Sequence, residues 1–290
     1  MTINVVSERH GFVECPRWRE GLLYVSDMFA GKVFTFDENG KKALVCEVPG
    51  RPAGLGWTPE GDLLIVSIDD RKLWRWGGEE LLEVADLSHL APWHTNDMVV
   101  DEAGGCYIGN FGWDEQTQDE IQSTVLIRVD ADGTVSKAAD DLVFPNGMVI
   151  TPDGGTLLVS ETFAGRVTAF DRAKDGSLSN RRTWADFSGG RTFRTLTEAR
   201  ASKACLPDGL ALANDGTLWV ADAGGQGALH VAEGGDVIET VPLGEQTAFA
   251  VALGGKDLNR LFLCAAVPYG TGDPWNNWES RLLWTEVENG

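Results

Sequence analysis

Short apolar runs alternate with turn residues along the whole chain, and no stretch sustains a helical period. Runs such as "LLIVS", "TLLVSE" and "TLWVAD" are rich in Val, Leu, Ile and Trp and are bounded by Asp-Gly, Glu-Gly or Gly-Gly pairs. Apolar runs of that length between turn glycines predict strands joined as antiparallel hairpins. The 35 glycines are spread throughout, which argues against helices as the main element.

The runs also recur in a fixed order: a polar residue, a glycine and two apolar residues, then a turn, a strand, a second turn and another strand. Four units are clear, in "RPAGLGWTPEGDLLIVSIDDRKLWRWGG", "HTNDMVVDEAGGCYIGNFG" leading to "STVLIRVDADG", "FPNGMVITPDGGTLLVSETF" and "LPDGLALANDGTLWVADAGGQGALHVAEGG". Two weaker ones, "FVECPRWREGLLYVSDMFAGKVFTFDENG" and "TAFAVALGGKDLNRLFLCAAV" with "SRLLWTEV", make six. Repeats of roughly 40 to 60 residues with three or four strands each predict propeller blades, whose sheets bury their faces against one another. The expected fold is all-β: one six-bladed β-propeller spanning 1–290. The last unit is a strand short and "INVVSE" is a strand without a unit, so 3–7 is expected to close the ring as the outer strand of the final blade.

Three insertions break the spacing: "GWDEQTQDEIQS", "WADFSGGRTFRTLTEARASKA" and "VPYGTGDPWNNWES". Their aromatic residues, Trp113, Phe193, Tyr269, Trp275 and Trp278, suit loops that line a pocket.

In a propeller, the polar position before each glycine starts an innermost strand, so the six such residues converge at one end of the central channel. They are Glu14, Ala53, Asn96, Asn146, Asp208 and Phe249. Two carboxylates and two amides form an oxygen donor set suited to a hard divalent cation such as calcium. Asn or Asp before Gly also caps ordinary turns, and spacing alone leaves both readings open.

The charge balance narrows the partners. There are 24 basic and 44 acidic residues, a formal charge of -20 without any run of Lys or Arg, so nucleic acid and anionic membrane are not expected partners. The N-terminus lacks a basic segment followed by an apolar core and no apolar run approaches 18 residues, which predicts a soluble, cytoplasmic protein. Five cysteines, Cys15, Cys46, Cys106, Cys205 and Cys264, lie far apart with no CxxC pair; they are expected to be small core residues rather than zinc ligands or disulfides.

The segments "ECPRW", "TNDMVVDEAGGCYIGNFG", "FPNGMVITPDGGTLLVSET" and "LPDGLALANDGTLWVAD" together resemble the SMP-30/gluconolactonase/luciferin-regenerating-enzyme family along nearly the whole chain. The resemblance implies one catalytic divalent metal held by Glu14, Asn146 and Asp208, with Asn96 matching an asparagine that contacts either the ion or the substrate. Calcium is the expected ion, with zinc, magnesium or manganese as alternatives. It further implies hydrolysis of small-molecule lactones or related esters, the cation polarising the carbonyl. Asp208 is the first candidate for general base. His94, two residues before Asn96, is a second catalytic or substrate-binding candidate, and it stands near where related gluconolactonases use an arginine to bind sugar.

Asn110, Trp113 and Asp114 are further substrate-binding candidates, and Trp18, Trp93, Phe111, Trp113 and Phe249 are candidates for an aromatic wall. A phosphotriester hydrolase on the same metal, and a non-catalytic binding propeller stabilised by it, are the competing functions.

Overall fold

A computed structural model describes residues 1–225, 227–268 and 279–288. Among them the apolar runs form six antiparallel sheets of four strands. We number these sheets as blades I to VI. The innermost strands are Val13–Arg19, Pro52–Trp57, Thr95–Val100, Pro145–Ile150, Pro207–Leu212 and Thr247–Gly254. Each packs against the next, and the sixth returns to the first, completing the predicted six-bladed propeller.

The ring closes as the sequence predicts. Asn4–His10 pairs antiparallel with Ser280–Glu286, with Asn4 opposite Trp284 and His10 opposite Ser280. Ser280 adds a second tie: its hydroxyl accepts from the Val13 N–H at 3.1 Å and donates to the Ala265 carbonyl at 3.1 Å, linking blade VI to blade I.

Apolar side chains fill the seams between blades. Leu158, Val167 and Ala169 of blade IV pack with Leu210, Leu218, Val220 and Leu229 of blade V, and other seams are built likewise. Burying each Val or Leu contributes about 1.5–3 kcal/mol relative to leaving it exposed. All five cysteines are buried and unpaired, matching their expected core role. Among the described residues no helix is long and apolar enough to cross a membrane.

One irregularity repeats in every blade and positions the site. The register between the first and second strands shifts between Glu14 and Arg17, Pro52 and Leu55, Thr95 and Met98, Pro145 and Met148, Pro207 and Leu210, and Ala248 and Ala250. Such a bulge leaves a residue out of the ladder and re-aims its side chain. The following glycine serves close approach rather than a turn. A Cβ on Gly147 would lie 2.5 Å from the Asp208 carbonyl oxygen, and one on Gly209 would lie 2.6 Å from Ala250 Cα. Blade I carries Cys15 at that position, at a φ of 50° in the left-handed region.

Candidate metal centre and active-site cavity

The repeated bulge brings Glu14, Asn96, Asn146, Asp208 and Phe249 into the wall of one cavity of about 830 Å³. All five are buried, and Ala53 is fully so. In four blades the chain leading to the site position is clamped. The last residue of each second strand stands opposite the residue just before the site position, or at it, in the first five blades: Asp27 opposite Val13, Ser67 opposite Pro52, Asn110 opposite Thr95, Glu161 opposite Pro145 and Asp222 opposite Pro207. Four of these side chains bond the backbone of the segment entering the blade. Asp27 accepts from Phe12 N at 3.1 Å, Glu161 from Val143 N at 2.8 Å and Asp222 from Leu206 N at 2.8 Å, while Ser67 donates to the Pro49 carbonyl. In these four blades the entering chain is therefore fixed two to four residues ahead of the site position.

The two acids sit in an environment hostile to their charge. Burial, opposed by the Cys15 N–H bond at 2.9 Å, pushes the Glu14 carboxyl up to about 8. Burial and then the charges of Glu14, Asp97 and Asp222 push Asp208 well above the usual carboxylate range. Oδ1 of Asp208 and Nδ2 of Asn96 are buried without a hydrogen-bond partner. The Asn146 amide donates from Nδ2 to Thr162 Oγ1 at 3.3 Å, which directs its other end, the carbonyl, away from that partner. Two buried carboxylates, an orphaned carboxylate oxygen and two amides fit a hard cation, which would supply the missing charge and the missing partner. Among the described residues no three His, Cys, Asp or Glu side chains converge as a ligand group, because half of this set is amide.

A fixed ion pair lies beside the acids. Asp97 occupies the place held by glycine in blades II, IV and V, and Arg17 Nη2 meets its Oδ1 at 2.6 Å. Arg17 also donates to the carbonyls of Met98 at 2.8 Å and Pro16 at 3.0 Å. The ion pair keeps Asp97 as a partner of Arg17.

His94 lines the cavity from the loop just before the third inner strand, together with Asn96. Its Nε2 lies 3.4 Å from Arg51 Nη2 and its Nδ1 lies 3.6 Å from Asp69 Oδ1. Arg51 reaches over from blade II and grips Asp69 through Nε at 3.1 Å and Nη2 at 2.6 Å. Burial and the Arg51 charge lower the His94 pKa against the pull of Asp69, so the imidazole is neutral at pH 7.

A family profile, SMP-30/Gluconolactonase/LRE-like region, matches residues 12–267. The chain belongs to this family. Family relatives include a 6-deoxy-6-sulfogluconolactonase of Pseudomonas putida, 25% identical over 91% of this chain and 87% of its own length. A pentonolactonase of Haloferax volcanii is 27% identical over 92% of this chain and 86% of its own. Among solved structures, the calcium-binding protein regucalcin of Agrobacterium tumefaciens superposes with a TM-score of 0.78 at 19% identity, covering 100% of this chain and 95% of that one.

Within the family fold, three of the expected substrate contacts have other places. Asn110 does not line the cavity: its amide donates to the Val125 carbonyl at 2.7 Å and accepts from Thr124 Oγ1 at 2.6 Å, which ties it to the third strand of blade III, Thr124–Val129. Asp114 caps a turn, accepting from Gln116 N at 3.1 Å and Thr117 Oγ1 at 2.8 Å. Trp113 is buried behind the wall among Phe144, Phe163 and Phe193. Trp18 stacks on Phe262 at 5.5 Å between blades, and Trp93 lies tilted by 45° against His94 at 4.5 Å without lining the cavity. Of the expected aromatic wall, Phe111 and Phe249 do line the cavity.

The insertions contribute as expected in kind. Glu115 and Gln116 of the first, and Arg200 of the second, reach the cavity. The two loops are joined through Ile121 N to the Arg194 carbonyl at 2.9 Å, and through Asp119, which bonds Leu196 and Thr197 at the start of the short helix Leu196–Ala201. Val267, Pro268, Glu279 and Ser280 of the third loop also line it; Tyr269, Trp275 and Trp278 lie outside the described residues. Sequence reasoning missed Arg51, Thr162 and the Arg17–Asp97 pair. Only the last left a signal, an acid where sister blades carry glycine.

Proposed function

We propose that this protein is a divalent-cation-dependent lactone hydrolase whose reaction takes place at the four converging side chains. The observation that carries this reading is the burial of Glu14 and Asp208 with a carboxylate oxygen left unpartnered at the floor of a ligand-sized cavity. Lactonases among the family relatives supply the reaction class, and the calcium-binding relative of the same fold makes calcium the first candidate ion.

Glu14, Asn146 and Asp208 would hold the ion, with Asn96 beside it. When bound, such a cation supplies Lewis-acid polarisation of the lactone carbonyl. The chain's own groups manage the proton. Water adds its oxygen to the carbonyl carbon and gives a proton to the Asp208 carboxylate, which faces the same cavity. The ring C–O bond then breaks and the departing alkoxide takes that proton back. The product is a hydroxy acid, which ionises and releases acid. His94, its pKa lowered by burial and Arg51, lines the same cavity without introducing a competing positive charge, with Nε2 turned to Arg51 and Nδ1 to Asp69.

The test is calorimetry on chelator-stripped protein, followed by acid release from a panel of lactones, aryl esters and phosphotriesters. One cation per chain and turnover of lactones are expected; cation binding with no ester turnover would favour a binding propeller, and turnover of phosphotriesters alone would move the reaction class.

The Arg17–Asp97 pair gives a sharper prediction. Arg17→Met exposes the Asp97 charge to the site and should tighten cation binding about tenfold, while Asp97→Asn leaves Arg17 unopposed and should weaken it about tenfold. The double variant should return close to the parent. Shifts of the same sign in both single variants would show that the pair acts only as packing.

A further inference from the structure

We propose that the substrate is a lactone carrying an aryl or alkyl body rather than a bare polyhydroxylated sugar ring, an inference that rests on the lactonase reading above. Two aromatic groups line the cavity. Phe12 lies 4.9 Å from Phe249 and 6.3 Å from Phe29 by ring centroid, and Phe144 lies 4.4 Å from Phe111 and 4.9 Å from Phe163. All six rings contribute to the wall. They present faces that gain from contact with carbon and give nothing to a hydroxyl.

A sugar lactone brings several hydroxyls that each lose water on entering and need a replacement partner. The hydroxyls nearest the floor are already committed to the scaffold. Thr162 donates to the Pro207 carbonyl at 2.9 Å and accepts from Asn146, and Ser280 bridges Val13 and Ala265. The Arg51 guanidinium is held by Asp69. Gln116, Arg200 and Glu279 are exposed and belong to the mouth. Apart from buried Glu115, and His94 turned to Arg51 and Asp69, the deep cavity therefore combines an oxygen-rich floor, suited to one carbonyl, with apolar walls. That pairing matches a ring ester whose remaining surface is hydrocarbon.

The experiment compares dihydrocoumarin, an aryl lactone, with D-glucono-1,5-lactone on the cation-loaded protein. It adds binding of their non-hydrolysable ring ethers, chroman and 1,5-anhydro-D-glucitol, by calorimetry. Dihydrocoumarin should be preferred about 100-fold in kcat/KM, a ratio within reach of burying one phenyl ring. Chroman should bind with a negative heat-capacity change and the glucitol should not bind measurably. Phe12→Ala and Phe111→Ala should each lower kcat/KM for dihydrocoumarin about tenfold while changing that for gluconolactone less than about twofold. An equal loss on both substrates would mark the rings as merely structural. Equal or greater turnover of gluconolactone by the parent protein would overturn the apolar class and leave the lactonase reading standing. Chroman binding with neither lactone hydrolysed would do the reverse, and absence of both would remove both.

Discussion

Asp208→Asn should lower lactone turnover by about 10³-fold or more and yet raise the thermal midpoint of the cation-free protein. The two effects have one origin. Loss of groups that merely orient metal ligands costs roughly 10–100-fold, and this substitution removes a charged candidate ligand and the candidate base together. In the absence of a cation, the same carboxylate is a buried acid whose Oδ1 has no hydrogen-bond partner and whose neighbours include Glu14 and Asp97. Replacing it with a neutral amide of the same shape removes the cost of holding a buried charge there, about 1–3 kcal/mol. The gain depends on pH in a definite direction. A carboxyl whose folded pKa is raised keeps its neutral, better tolerated form below the unfolded value near 4, and stability falls as pH rises through the folded pKa. The Asn variant should therefore be more stable than the parent at pH 8 and nearly equal to it at pH 4. Thermal melts in chelator across that range measure the difference. A variant that is both inactive and less stable at every pH would show Asp208 to be a packing residue.

Glu161→Gln should weaken the fold by about 3 kcal/mol at pH 7, lowering the midpoint by about 5 °C, with little change in cation affinity. The Glu161 carboxylate is fully buried and receives Arg166 at 2.9 and 3.0 Å, Arg181 at 3.0 Å, the Val143 N–H at 2.8 Å and the Thr168 hydroxyl. Arg181 donates as well to the carbonyls of Asp140 and Asp141, so this carboxylate joins blade IV to the chain leaving blade III. Burial alone would raise its pKa. The hydrogen bond and charge of Arg166, the Thr168 hydroxyl and the Arg181 charge outweigh that, and the carboxyl lies below its ordinary value. A depressed carboxyl stabilises the fold above its unfolded pKa, near 4.3, and the contribution disappears as pH falls through the folded pKa. The gap between parent and Gln variant should thus be full at pH 7 and narrow steadily below about pH 4. A gap independent of pH would assign the loss to packing rather than to charge.

What could be read from the chain divides along physical lines. The blades, the six-fold repeat and the closing N-terminal strand follow from local pattern: apolar runs, turn glycines and one strand missing from the last unit. Glu14, Asn96, Asn146 and Asp208 were legible because repetition placed them in equivalent positions. The glycine that follows Asn146 and Asp208 suits a turn as readily as a strand start when read from sequence alone. At Gly147 and Gly209 it is required by the close approach of the next inner strand, which no single-strand pattern reveals. Asn110 ends a strand that points toward the site and Trp113 and Asp114 follow it, and their sequence neighbourhood gives no hint that a tie between strands, a buried cluster and a turn cap occupy them. Contacts such as Asp119 with Thr197 are made 78 residues apart, so the loop walls were visible only as aromatic insertions. The aromatic part of the wall is phenylalanine from several blades, where sequence reasoning placed three tryptophans beside Phe111 and Phe249.

The most direct measurement is pH-stat acid release from one good lactone substrate by chelator-treated protein, before and after calcium is restored. The account predicts a fall to the uncatalysed rate on chelation and full recovery on adding the ion, with Asp208→Asn failing to recover. Hydrolysis that continues unchanged through chelation would contradict it.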